Sequence, residues 1–132
     1  MIYNAKTQLY VMWYNWLPPD ISFTLSYFGS AVSSSPVGPF KVVNANASDT
    51  LAFDNVGDFA LFVDDDASAY IIYTAHISGK WGPSNETHRM SVERLSDDYT
   101  TALGKTASSG FFGMCAWIAR LMIANVALYV TD

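Results

Sequence analysis

The sequence predicts an all-β chain of antiparallel meanders, and three observations carry that expectation. Short runs rich in β-branched and aromatic residues alternate with turn-forming clusters. Nothing before Phe111 has the length and period of an amphipathic helix. One hairpin pattern also recurs about 60 residues further along, a spacing that suits a four-stranded propeller blade with long loops.

In chain order, the expected strands are Leu9 to Asn15 (LYVMWYN), Tyr27 to Val32 (YFGSAV), Phe59 to Val63 (FALFV), Ala69 to Thr74 (AYIIYT) and Met90 to Leu95 (MSVERL). The clusters around them are Asn4 to Thr7, Pro18-Pro19-Asp20, Ser33 to Pro36 with Gly38-Pro39, Asp64 to Asp66, and Gly79 to Pro83. Each holds the residues that turns select for their backbone freedom or local hydrogen bonding. The recurrent unit is an apolar strand, a polar turn and a strand entered through tyrosine. Asn4 to Trp13 and Asp64 to Tyr73 share it, and Ala124 to Val130 around Tyr129 is a weaker copy. Two sheets follow, roughly Ile2 to Phe40 and Asp58 to Leu103, about two four-stranded blades with open edges and an irregular C-terminal tail.

Composition excludes several classes of function. Charged residues make up 14 % and aromatics 15 %, so apolar surface outweighs polar cover. A net charge of −5 with no Lys/Arg cluster argues against nucleic acid as a partner, because phosphate binding needs a basic face. Cys115 is the single cysteine, which rules out an intrachain disulfide and, set among apolar side chains without a nearby histidine, reads as an inert thiol. His76 and His88 lack partners at ligand spacing, so no metal is expected. Asp64 to Asp66 lack the alternating ligands, glycine and distant glutamate of a calcium loop and read as a hairpin tip.

The first residues, MIYNAKTQLYVMW, show no secretory-signal pattern, and the sequons at Asn46 and Asn85 would matter only on export. The apolar stretch from Phe111 to Val130 has the length of a membrane span, but Arg120 near its centre would cost ~2.5–3.5 kcal/mol there. A membrane helix is therefore not expected.

Four segments carry a resemblance. Ile2-Tyr3-Asn4 with Leu9 to Trp13, then Ala31 to Phe40 (AVSSSPVGPF), then Gly57 to Asp66 (GDFALFVDDD) with Ala69-Tyr70, then Leu95 to Tyr99 (LSDDY) occur in the order and spacing of glycoside hydrolase family 43. The branch most similar is the galactanase-type one. The resemblance spans Ile2 to Gly113, leaving residues 114–132 as a divergent apolar tail after a 1–113 domain.

What the resemblance implies is a five-bladed β-propeller with a sugar site on its axis, hydrolysing β-galactan or related polysaccharide side chains outside the cell. No cofactor is implied. Inverting hydrolysis needs a carboxylic acid to protonate the leaving oxygen and a base on the opposite face to activate water. A third carboxylate holds up the acid's pKa by like-charge repulsion and orients it. On the family pattern that role falls to Asp58, whose place between Gly57 and an apolar strand would make a buried carboxylate expensive unless paired or functional. An Asx-turn cap is the ordinary alternative.

Trp13 and Asn15 share one strand face and Tyr14 and Trp16 the other, and Trp13 and Asn15 are the candidate sugar-binding residues, one by stacking and one by reading hydroxyls. The family's general acid is the glutamate of a V-E-A-P segment soon after the match at Gly110 to Gly113, and an ungapped continuation puts Ile118 there. Isoleucine donates no proton. The acid residue ahead of the first matched strand, and the first blade, also fall outside the chain. Two expectations follow: a hydrolase fragment inactive alone, its tail altered by a frame, splice or gene-end change, or a non-catalytic carbohydrate-binding or scaffold propeller domain.

Overall fold

The computed structural model describes residues 1–18, 26–53, 55–76 and 88–104, apart from the side chains of His76, His88 and Arg89. It contains two antiparallel sheets. The first runs in the order β1 (Ile2–Asn4), β2 (Leu9–Trp16), β3 (Tyr27–Ser33) and β4 (Lys41–Asn44). A single 3-10 turn, Ala47–Thr50, follows, and the second sheet is built of β5 (Val56–Val63), β6 (Ala69–His76) and β7 (His88–Arg94). The expected strands are present with ends extended by one to three residues, except that β7 starts and stops earlier. The strand at Lys41–Asn44 and the 3-10 turn were not expected. The second sheet has three strands among the described residues, where four were expected, plus an isolated bridge between Leu95 and Ala102.

Strand alternation builds the core. Val11 and Trp13 of β2 and Phe28 of β3 point to one side of the first sheet, where they meet Val56, Phe59, Ile71 and Tyr73 of the second. Phe28 sits at the centre, its ring centroid 4.8 Å from that of Phe59 and edge-on to Tyr73 at 6.1 Å. Offset and edge-to-face geometries of this kind favour the positive ring edge against the negative face. A β-bulge between Val56 and Phe59 lets both side chains face the core although they are three residues apart. β1 and β5, the first strand of each meander, approach each other.

Polar ties close the sheets at their ends. Asn4 is fully buried, donates to the Asp97 carbonyl at 2.8 Å, and accepts from the amides of Lys6 and Thr7, which shapes the first hairpin. The exposed Lys6–Asp97 ion pair beside it at 2.9 Å is solvent-screened and adds little.

The tyrosine-led repeat is real in position. Tyr10 pairs with Tyr3, the penultimate residue of β1, as Tyr70 pairs with Phe62, the penultimate residue of β5. Both tyrosines alternate with core residues and so point away from the shared core. The two tyrosines therefore hold like places in their hairpins but lie on opposite outer faces of the packed pair of sheets.

Candidate functional site

Asp58 is the third residue of β5, an edge strand, and lies at the bulge. Its side chain is exposed, so the burial cost expected from its sequence context does not arise in this structure. The carbonyl of Asp58 accepts a long bond from Thr74 Oγ1 at 3.5 Å, and its carboxylate has no hydrogen-bond or ion-pair partner among the described residues.

Asn15, at the far end of β2, is brought to the same place. Its Nδ2 donates to the Gly57 carbonyl at 3.2 Å, and its Oδ1 accepts from Ser26 Oγ at 2.7 Å. The amide of Val56 in turn donates to the Ser26 carbonyl at 3.4 Å, tying the start of β5 to the segment before β3. One end of the intersheet seam thus gathers Asn15, Ser26, Gly57 and Asp58.

Asn55, next to Val56, is only 5 % exposed, holds φ at 54°, and neither its amide nitrogen nor its amide oxygen has a hydrogen-bond partner among the described residues. Leaving buried polar groups unpaired costs about 1–3 kcal/mol each, a penalty the fold accepts at the entrance to β5.

Trp13 does not join this cluster. It is 4 % exposed, packs edge-on to Phe28 and donates its indole N–H to the Tyr99 carbonyl at 2.8 Å. With its ring enclosed it offers no face to a sugar, which corrects the expectation of a stacking platform. The same strand period that pairs Trp13 with Asn15 places the tryptophan inside the core and the asparagine at its rim. On the other face, Tyr14 lies over Gly29, where a Cβ would come within 2.4 Å of its ring, and Trp16 stacks on Tyr27 at 5.0 Å.

Asp64 to Asp66 lie at the opposite end of β5, roughly 20 Å away at ~3.3 Å per residue. They are occupied by their own turn: Asp64 Oδ1 accepts from the Asp65 amide, and Asp66 accepts from both the amide and the hydroxyl of Ser68. The Ser68 amide, then its hydroxyl, hold the Asp66 carboxyl below its ordinary value. Among the described residues no group of side chains could hold a metal ion, and no helix is long and apolar enough to cross a membrane. Cys115, Ile118, the Gly110 to Gly113 match and the tail lie outside the described residues.

A second carboxylate escaped the sequence reading. Glu93 of β7 is 6 % exposed, and its Oε1 accepts from the Tyr73 hydroxyl, from the Ala52 amide at 3.0 Å and from Ser91 Oγ at 3.4 Å. Burial first, then the hydrogen bond to Glu93, push the Tyr73 hydroxyl far above its ordinary value. With its oxygen engaged by interior donors, Glu93 ties the segment at Ala52 to the second sheet.

No protein-family model matches the chain, and no curated protein does. Two solved structures resemble it. A protein of Bifidobacterium bifidum s17, assigned as an exo-β-1,3-galactanase, aligns over 83 % of this chain at 24 % identity with a TM-score of 0.54. A GH43 β-1,3-galactosidase, solved with galactodeoxynojirimycin, aligns over 78 % at 22 % identity with a TM-score of 0.56. The chain spans 32 % and 40 % of those two proteins' lengths. At these identities the likeness is one of fold: the two antiparallel sheets are the architecture of part of a GH43 β-1,3-galactosidase chain.

Proposed function

We propose that the chain is part of a glycoside hydrolase of the family 43 kind, a five-bladed propeller acting on β-galactan or related polysaccharide side chains. The observation that carries this reading is the structural likeness to an assigned exo-β-1,3-galactanase and to a β-1,3-galactosidase solved with a galactose mimic, over sheets whose sequence bears four family-like segments in order. Asp58 then stands at the sugar site with Asn15 beside it. In hydrolysis, an acid from elsewhere in the propeller protonates the leaving oxygen while a base takes a proton from the attacking water. Asp58, with no carboxylate partner among the described residues, keeps that acid protonated by charge repulsion until the bond begins to break.

Ile118 at the position of the acid favours a second reading, a non-catalytic carbohydrate-binding propeller. Sequencing the transcript on both sides of this frame separates the two: a longer frame with V-E-A-P restored supports the hydrolase, and an intact transcript ending at Asp132 supports the binding domain. The 132-residue chain is expected to release no galactose from β-1,3-galactan, because a general acid usually contributes ~10²–10⁴-fold. In the enzyme expressed from the longer frame, Asp58→Asn should lower kcat at least about tenfold with little change in KM or folding, since the lost charge acts on proton transfer. A normal kcat in folded Asp58→Asn would reduce Asp58 to a loop residue.

A further inference from the structure

The side-chain amide of Asn15 has two N–H donors and an oxygen with two lone pairs. One donor goes to the Gly57 carbonyl and one lone pair accepts from the Ser26 hydroxyl. The carbonyl, which can only accept, fixes which way the amide faces, because reversing it would set the amide oxygen against a carbonyl oxygen, and the Ser26 hydroxyl holds the oxygen side in place.

Among the described residues one N–H and one acceptor site of this exposed side chain remain, and its partners Ser26 and Gly57 are buried. Gly57 precedes Asp58 directly, so Asn15 is held to the backbone one residue before that exposed carboxylate. A sugar hydroxyl is both donor and acceptor, and vicinal hydroxyls can engage an adjacent N–H and C=O together. An amide held by two bonds does so without losing the rotamer freedom that a loose side chain gives up on binding.

We infer that Asn15 reads a pair of hydroxyls on the glycosyl unit beside Asp58, and that Ser26, 3 % exposed and out of reach of the ligand, is its positioning residue. This rests on the proposed sugar site and adds to it the residue that orients the reader. Ser26 does so from a point where its own carbonyl is anchored by the Val56 amide, so the orientation of Asn15 is coupled to the placement of β5.

The test is an NMR titration of the ¹⁵N-labelled full chain with methyl β-galactoside, for wild type, Asn15→Ala, Ser26→Ala and Ser26→Thr. Asn15→Ala leaves the Gly57 carbonyl and the Ser26 hydroxyl without that partner, so the dispersion of each variant's amide spectrum is compared with wild type before titration. Affinity should fall about tenfold in Asn15→Ala, the loss expected for hydrogen bonds of about 1.4 kcal/mol. It should fall a few-fold in Ser26→Ala, with a shift of the Asn15 side-chain NH2 resonances, and Ser26→Thr should recover both.

Wild-type binding that neither Asn15→Ala nor Ser26→Ala weakens would overturn this inference and leave the sugar site standing. Loss in Ser26→Ala that Ser26→Thr fails to recover, with the Asn15 resonances unmoved, would overturn the positioning role. Absence of wild-type binding would overturn the sugar site itself and the inference with it.

Discussion

Trp13→Ala is expected to lower the stability of the chain by about 3–5 kcal/mol, the range for deleting a large aromatic side chain from a packed core. Trp13 lies between the sheets against Phe28, and its indole holds the carbonyl of Tyr99, a residue in the left-handed region at φ 66° after β7. The truncation removes apolar contact and strands a buried carbonyl at the same time. Trp13→Phe should keep most of the packing and lose the hydrogen bond, at about 1–2 kcal/mol. Denaturant melts of both variants check this by their midpoints at an unchanged slope. A sugar-stacking tryptophan would behave in the opposite way, with stability near wild type and the loss confined to ligand binding.

Glu93→Ala is expected to cost about 2–4 kcal/mol, because it leaves the Tyr73 hydroxyl and the Ala52 amide without their acceptor in the interior. Glu93→Gln retains an acceptor oxygen and should cost less than half as much. Gly104→Ala probes the same cluster from the other side: a Cβ there would fall 1.6 Å from Glu93 Oε2 and 3.0 Å from the Ala52 nitrogen, so the carboxylate would have to move. The Tyr73 hydroxyl also adds a pH signature. Its folded pKa is raised above the ordinary 10.0, so its contribution is complete below pH 10.0 and declines above it, where the unfolded chain gives up the proton and the folded chain keeps it. Tyr73→Phe should remove that part of the alkaline decline, and an unchanged alkaline profile would count against the cluster as described.

The strands were legible in the sequence because runs such as LYVMWYN and AYIIYT combine alternation with β-branched and aromatic residues, and polar clusters bound them. Lys41–Asn44 was missed because four residues running into Asn44-Ala45-Asn46 look like a loop, and pairing with β3 is what makes them a strand. The facing of β7 was illegible for a sharper reason. In Met90-Ser91-Val92-Glu93-Arg94 the apolar positions suggest that Met90 and Val92 face the shared core, yet Glu93 does so opposite Ile71, Val92 is buried on the other face opposite Ile72, and Met90 is 63 % exposed. A buried acid becomes tolerable once Tyr73 and the Ala52 amide, 20 and 41 residues away, supply donors, and no local pattern announces that.

The candidate site was legible in part. Asn15 and Asp58 meet through Gly57, as one subsite would require, whereas Trp13 was misplaced because alternation fixes a shared face but not where along the strand the core ends. Ser26 carried no sequence signal at all, since its role depends on the separate anchoring of its carbonyl by Val56.

The measurement that bears most directly on the central claim is the location of chemical-shift changes when the labelled chain is titrated with β-1,3-galactobiose. A sugar site at the start of β5 predicts changes grouped at Asn15, Ser26, Gly57 and Asp58, with the Asp64 to Asp66 tip unmoved at the far end of the same strand. Changes confined to that tip, or none at the Asn15–Asp58 end at saturating disaccharide, would contradict it.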